Sequence, residues 1–139
     1  LESAALTVKV VSEAAAVPAY DELKGRVPEI YVSVFPGTDE SKVEAAVKKV
    51  ITELIGPIAR PSHVWVTSDL PKTRSGKIMR RVVAAISNFM DPGDTMTLAN
   101  PEIVGEIEAV VRAGKAAIGE VSADERRKLQ MEVDAYGED

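Results

Sequence analysis

SKVEAAVKKVITELIGP, residues 41–57, is the stretch on which the fold turns. Val43, Ala46, Val47, Val50, Ile51, Leu54 and Ile55 recur at i, i+3, i+4, i+7, i+8, i+11 and i+12, one apolar stripe along a helix. Ser41 and Glu44 have the spacing of a capping box, and Gly56-Pro57 supplies the stop. A helix with a single apolar face needs a second layer to cover it. Candidates lie on both sides. Upstream, SEAAAVPAY (12–20) and EIYVSVF (29–35) read as short strands joined by the polar turn DELKGRVPE (21–29). In the second strand Ile30, Val32 and Val34 alternate with Tyr31, Ser33 and Phe35, which suggests one polar-tolerant face. Downstream, SHVWVT (62–67) reads as a third strand, with His63 and Trp65 packing on the sheet. The expected class is α+β: a small antiparallel sheet of about three strands flanked by helices.

Working outward, Leu1, Ala4, Ala5, Val8 and Val11 have helical spacing. Ile78, Val82, Val83, Ile86 and Phe89 form a second stripe and predict a helix to about residue 89, broken by Asp91-Pro92-Gly93-Asp94. A third helix takes Asn100 as N-cap, with Pro101 and Glu102 in its first turn. Its stripe is Ile103, Ile107, Val110 and Val111, and it ends near Arg112 and Gly114. Beyond lies a tail with its own capping box, Ser122 and Glu125, but only Leu129, Val133 and Tyr136 to bury. The expected division is a domain over 1–114 and an acidic, marginally helical tail over 115–139.

At 139 residues, 45% hydrophobic and 28% charged, the chain is long enough for one real core. No apolar run approaches the roughly 20 residues a bilayer requires, so no membrane role is expected. The absence of cysteine excludes disulfides and thiolate metal sites and favours a cytoplasmic setting. With a single histidine, His63, no multi-histidine metal centre can form, and no metal site is expected. Net charge is −5, and residues 120–139 carry most of it, with seven acids against three bases.

Against that acidic background stands LPKTRSGKIMRR, residues 70–81, with Lys72, Arg74, Lys77, Arg80 and Arg81. It can be a solvated basic face, a nucleic-acid or regulatory binding patch, or the phosphate-handling loop of an enzyme. Read as an N-cap, Ser75 puts Lys77 in the first turn of the following helix. A cation there costs about 0.3–1 kcal/mol unless an anion is expected. Gly76 allows close backbone approach to a ligand or a positive φ. The loop is not the phosphate cradle of nucleoside triphosphatases, which needs a glycine where Lys72 stands and a hydroxyl residue in place of Ile78. The cluster has no aromatic residues and the rest of the chain is acidic, which weighs against nucleic acid as a partner.

LPKTRSGKIMRR closely resembles the last signature motif of the adenylate-forming acyl-CoA synthetases, above all the acetyl-CoA synthetase branch. The similarity extends to LESAAL, VSEAAAVPAYDELKG, ELIGPIARPSHVWVTSDLPKT and GDTMTLANPEIVGEI, and so covers about residues 1–111. The resemblance implies the small C-terminal lid domain of an AMP-forming acetyl- or short-chain acyl-CoA synthetase, inactive alone. Such enzymes join a carboxylate to ATP, with Mg2+, giving an acyl-adenylate and pyrophosphate; the lid then rotates for thioester formation with coenzyme A.

Lys77 stands where that family has its adenylation lysine, with Thr73, Arg74, Ser75 and Gly76 in the substrate-binding motif around it. Acetyl-CoA synthetases often carry an arginine facing the coenzyme A phosphates where this chain has Thr52, so the resemblance implies that Lys48 or Lys49 substitutes or that the contact is made elsewhere. The implied partners are the large N-terminal domain of the same enzyme and, for acetylation of Lys77, a protein acetyltransferase and a sirtuin-type deacetylase.

Overall fold

A computed structural model describes residues 1–21 and 25–117. Its elements are α1 (Glu2–Ala5), β1 (Val11–Asp21), β2 (Gly25–Val34), α2 (Val43–Leu54), β3 (His63–Thr67), α3 (Arg80–Ser87) and α4 (Glu102–Ala117). Short 3-10 turns at Glu40–Lys42 and Pro57–Ala59 flank α2. The expected tail capping box, Ser122 with Glu125, lies outside the described residues.

The three strands make one sheet in the order β1-β2-β3. β1 and β2 form the expected antiparallel hairpin, but it is longer than the sequence suggests. Pairing continues from Ala15↔Tyr31 through Pro18↔Pro28 to Asp21↔Gly25, so most of the expected polar turn is strand. β3 joins on the other side of β2 in parallel, from Glu29↔His63 to Ser33↔Thr67, and the sheet is mixed rather than wholly antiparallel. The cause is the helical stretch 41–57. Between β2 and β3 the chain crosses over through α2, and a helical crossover returns the next strand in the same direction.

Helices cover both faces of this sheet, so β2 has no polar-tolerant side: Ile30, Tyr31, Val32, Ser33 and Val34 are all buried. On one face Ile30, Val32 and Val34 pack with Ala4, Ala5, Val43, Val47, Ile51 and Val64. On the other Tyr31 packs with Trp65, Leu70, Val82, Val83, Ile86, Ile103, Ile107 and Val111. The far end of the α2 stripe is left uncovered, since Leu54 and Ile55 remain exposed. Nor does Ser41 cap α2. Asp39 Oδ1 accepts from Ser41 N–H (3.1 Å) and Ser41 Oγ (2.6 Å) and opens the 3-10 turn ahead of the helix. α1 stops at Ala5, well short of Val11; Thr7 donates both its N–H and its Oγ1 to Ala4 O, which ends the helix and turns the chain toward β1.

α4 runs past Arg112 and Gly114 to Ala117, and the reason lies in its last turn. Lys115 is 3% exposed. Its Nζ donates to Glu29 Oε2 (2.7 Å) and Ser87 O (2.6 Å), and it lies 5.4 Å from the centroid of the Phe89 ring. Glu29 Oε1 also accepts from Trp65 Nε1 (2.8 Å) and Ser87 Oγ (3.0 Å). Gly114, one residue earlier, lies against the Trp65 ring; a Cβ there would stand 2.6 Å from it. Replacing Gly114 with Ala removes the helix penalty of glycine, roughly 1 kcal/mol, but forces the indole to move. We expect the overpacking to win, with a net loss of about 1–3 kcal/mol in equilibrium urea unfolding. Lys115→Ala, which leaves the Glu29 carboxylate buried without its cation, is expected to cost about 3–5 kcal/mol in the same measurement.

Candidate functional site

Lys77 lies on a small hairpin rather than at a helix start. Lys72 and Ile78 form an antiparallel bridge, and Thr73 N–H donates to Lys77 O (2.8 Å). Gly76 N–H donates to Thr73 O (2.9 Å), closing a four-residue turn, Thr73-Arg74-Ser75-Gly76. Gly76 has φ +90°, which side chains disfavour, and this is why the turn uses glycine. The Ser75 N-cap is therefore corrected: α3 begins at Arg80, and Ser75 Oγ bonds Thr73 Oγ1 instead (2.9 Å). Thr73 Oγ1 also accepts the Lys77 N–H (3.1 Å). Ile78 is held in the bridge to Lys72 and Met79 is non-helical, with φ −90° and ψ 82°, so the helix starts no earlier than Arg80. Lys77 thus sits on the return limb, three residues before the helix, and the dipole penalty does not arise.

The five cations of the stretch divide into two groups. Lys72 Nζ pairs with Glu13 Oε1 (2.8 Å) and Asp69 Oδ1 (3.0 Å). Arg80 grips the Glu2 carboxylate with two bonds, Nε to Oε2 at 2.8 Å and Nη2 to Oε1. Glu2 Oε2 in turn accepts the N–H of Ala16 (2.8 Å) on the edge strand β1. Arg81 Nη1 donates to Pro92 O (3.0 Å). Arg74 and Lys77 are exposed, and neither side chain has an ion pair among the described residues. Three bases hold the loop in place and two face outward.

The pairs shift the titration of Glu2, Asp69 and Lys72. The Arg80 guanidinium holds Glu2 below its usual value of 4.5, with the Ala16 N–H adding to it against a modest cost of burial. For Asp69 burial is the largest influence and pushes upward, but the Lys72 ammonium, the Leu70 N–H and the Asn100 amide together bring it below its usual 3.8. Hydrogen bonding to Glu13 raises Lys72 above its usual 10.5.

Asn100 supplies a contact that the sequence reading missed. Expected as a helix N-cap, its side chain turns toward the hairpin instead. Oδ1 accepts the Lys72 N–H (2.9 Å), while Nδ2 donates to Leu70 O (2.7 Å) and Asp69 Oδ2 (3.0 Å). The start of α4 relies on backbone bonds, with Ile103 N–H donating to Asn100 O (3.1 Å). An Asn-Pro-Glu sequence reads equally well as a cap, so only the spatial neighbours reveal the second use.

Lys48 and Lys49 lie elsewhere, on α2 across the sheet. They line a shallow groove of about 610 Å³ with Ser41, Glu44, Thr52 and Arg60, to which no hairpin residue contributes. Lys48 Nζ bonds Glu44 Oε2 (3.0 Å), and Thr52 Oγ1 donates to Lys48 O (2.9 Å). Arg60 joins the two lysines because the 3-10 turn Pro57–Ala59 folds it back beside the helix. Nothing in its local sequence marks it. His63 stacks on Trp65 with ring centroids 4.8 Å apart, in line with a packing role. No group of three or more His, Asp or Glu side chains among the described residues could hold a metal, and no helix there is long and apolar enough to cross a membrane.

Residues 1–77 match the family described as the AMP-binding enzyme C-terminal domain. The acetyl-coenzyme A synthetase of Methanothrix thermoacetophila is 41% identical over 112 residues, which is 80% of this chain and 17% of that protein. That of Sinorhizobium medicae is 45% identical over 114 residues, 78% of this chain and 17% of that one. The chain therefore spans less than a fifth of the length of these relatives. Among solved structures, an acyl-CoA synthetase from Brucella canis superposes with a TM-score of 0.52 at 30% identity, covering 59% of this chain and 15% of that one. An amide bond synthetase from Marinactinospora thermotolerans superposes at 0.56 with 23% identity, over 65% of this chain and 17% of that one, a likeness of fold.

Since both carboxylates titrate below their ordinary values, the stability they give is complete above about pH 4.5 and is lost as pH falls through the lowered values. Thermal unfolding followed from pH 6 to pH 2.5 should show a midpoint that falls below about pH 4.5. In Glu2→Gln the fall should be shallower and the neutral-pH midpoint lower.

Proposed function

Because the chain belongs to the AMP-binding enzyme C-terminal domain family, we propose that it is the lid of an AMP-forming acetyl- or short-chain acyl-CoA synthetase. The single observation that carries this is the exposed Lys77 ammonium on a hairpin whose base is fixed by paired neighbours. In the first half-reaction a carboxylate oxygen attacks the α-phosphorus of ATP, which arrives as its magnesium complex. The bond to pyrophosphate breaks and an acyl-adenylate forms. Two anions must meet, and negative charge builds on the phosphorus oxygens. An ammonium aimed at both offsets the repulsion where the charge develops.

An ammonium that already had a carboxylate partner could not do this without giving it up. The division of the five cations keeps Lys77 available, while Thr73, Arg74, Ser75 and Gly76 shape the tip that meets the nucleotide. In the second half-reaction the thiol of coenzyme A attacks the acyl carbon and AMP leaves, after rotation of the lid has withdrawn Lys77. Lys49 and Arg60, with Lys48 once it gives up Glu44, then serve the coenzyme A phosphates from the groove across the sheet. The N-terminal domain of the same enzyme supplies the nucleotide and acid pockets, and the setting is the cytoplasm. Acetylation of Lys77 by a protein acetyltransferase removes the charge and stops the first step; a sirtuin-type deacetylase restores it.

The alternative, a stand-alone basic module for nucleic acid or regulation, has less behind it. Three of the five cations are held by Glu13, Asp69, Glu2 and the Pro92 carbonyl and are not free for phosphates.

In the full-length enzyme, Lys77→Ala should lower ATP–pyrophosphate exchange by about 10²–10³ and spare thioester formation from supplied acyl-adenylate. Exchange at the parent rate would refute the assignment. Lys49→Ala and Arg60→Ala should each raise the KM for coenzyme A about tenfold with exchange unchanged, read from initial rates at varied coenzyme A.

A further inference from the structure

We infer that Asn100 is a positioning residue for Lys77, a clamp whose three side-chain bonds set where the hairpin points. The inference rests on the reading of Lys77 as the adenylation lysine. A hairpin of seven residues, 72–78, with an exposed tip has little packing of its own, so its aim must come from its base. One limb of that base runs into α3, where Arg80 is tied to Glu2. The other limb, residues 69–72, lies outside any helix or strand and depends on side-chain and cross-strand bonds.

Asn100 makes three of these. It takes the Lys72 N–H (2.9 Å) and gives its two amide hydrogens to Leu70 O (2.7 Å) and Asp69 Oδ2 (3.0 Å). Only one orientation of the amide meets an N–H with oxygen and two acceptors with nitrogen, so the side chain is fully specified. The neighbouring backbone continues the clamp, with Ala99 N–H donating to Lys72 O (2.8 Å) and a bridge between Thr73 and Leu98. From Lys72 the connection to the reacting group is short. Thr73, the next residue, holds Lys77 O with its N–H (2.8 Å) and Lys77 N–H with its Oγ1 (3.1 Å). Asn100 touches no reacting atom itself. It acts through the hairpin, and a misplacement of about 1 Å at a reacting group can cost on the order of a hundredfold in rate.

The test uses the full-length enzyme with Asn100→Ala, Asn100→Asp, Asn100→Asp with Asp69→Asn, Lys77→Ala, and Lys77→Ala with Asn100→Ala. Each is assayed for ATP–pyrophosphate exchange, for thioester formation from supplied acyl-adenylate and coenzyme A, and for thermal midpoint. Asn100→Ala should slow exchange about tenfold to a hundredfold, in kcat rather than in KM for ATP, with thioester formation near the parent rate. Asn100→Asp keeps the acceptor for Lys72 but sets a carboxylate against Asp69 and Leu70 O, and should lose as much. Asp69→Asn then returns a donor to the pair and should recover part of the rate. Added to Lys77→Ala, Asn100→Ala should cause no further loss of exchange. A fall in both half-reactions together, in step with the thermal midpoint, would reduce Asn100 to a stability contact and overturn the inference. Parent-rate exchange in Asn100→Ala beside a large loss in Lys77→Ala overturns this inference alone; no loss in Lys77→Ala overturns the lysine's role and this inference with it.

Discussion

A buried carboxylate, Glu29, is the point at which β2, β3, α3 and α4 are joined. It opens the parallel pairing of β2 with β3 and receives bonds from Trp65 on β3, Ser87 at the end of α3 and Lys115 near the end of α4. Buried charges are tolerated only when paired and fully hydrogen-bonded, and here both oxygens are engaged and Lys115 also reaches Ser87 O. Tyr31 adds its hydroxyl to Ser87 Oγ (2.5 Å), and burial pushes its ionisation well above the ordinary value. The network carries directional information that apolar contacts lack. An apolar helix face can slide along a sheet at little cost, whereas Lys115 has one place to go.

That constraint reaches the Lys77 hairpin through α4. With its last turns locked by Lys115 and by the Gly114 contact on Trp65, the helix extends back to Glu102, and the residues just ahead of it, Leu98 to Asn100, meet the incoming limb of the lysine hairpin. Electrostatics then separates the loop's cations by task. Lys72 and Arg80 lie where Glu13, Asp69 and Glu2 can neutralise them, and each pair ties a limb of the hairpin to the body. Arg74 lies in the turn and Lys77 just after it, both exposed. A chain that must present a free positive charge at a defined place needs such anchors, because a mobile lysine would spend little time correctly aimed.

Much of this was legible in the sequence. The stripe of α2, the three strands and the stop at Gly56-Pro57 follow from periodicity and turn chemistry, which are local properties. The motif around Lys77 indicated the family, and the matched residues 1–77 agree with it. Several inferences failed where one local pattern supports two structures. Ser75 before Gly76-Lys77 has the form of a helix cap, but Gly76 at positive φ makes a turn, the return limb stays extended through Ile78, and the helix starts at Arg80. Asn100-Pro101-Glu102 has the form of a cap too, and its side chain serves the loop. Ser33 suggested a solvent-facing side of β2, yet it is buried and bonds Ser12 Oγ at 2.8 Å.

The sequence by itself determined where the main helices and the three strands lie and which family the chain belongs to. Periodicity, turn residues and a motif are properties of neighbours along the chain, and they survive without knowledge of what lies across the fold. Only the tertiary structure decided that β3 runs parallel to β2, that Lys115 belongs to the core, that Arg60 joins Lys48 and Lys49, and that Asn100 holds the hairpin. Each of these pairs groups from 11 to 86 residues apart. Such contacts carry no local periodicity, and the side chains that make them look, in sequence, like ordinary surface charges and caps.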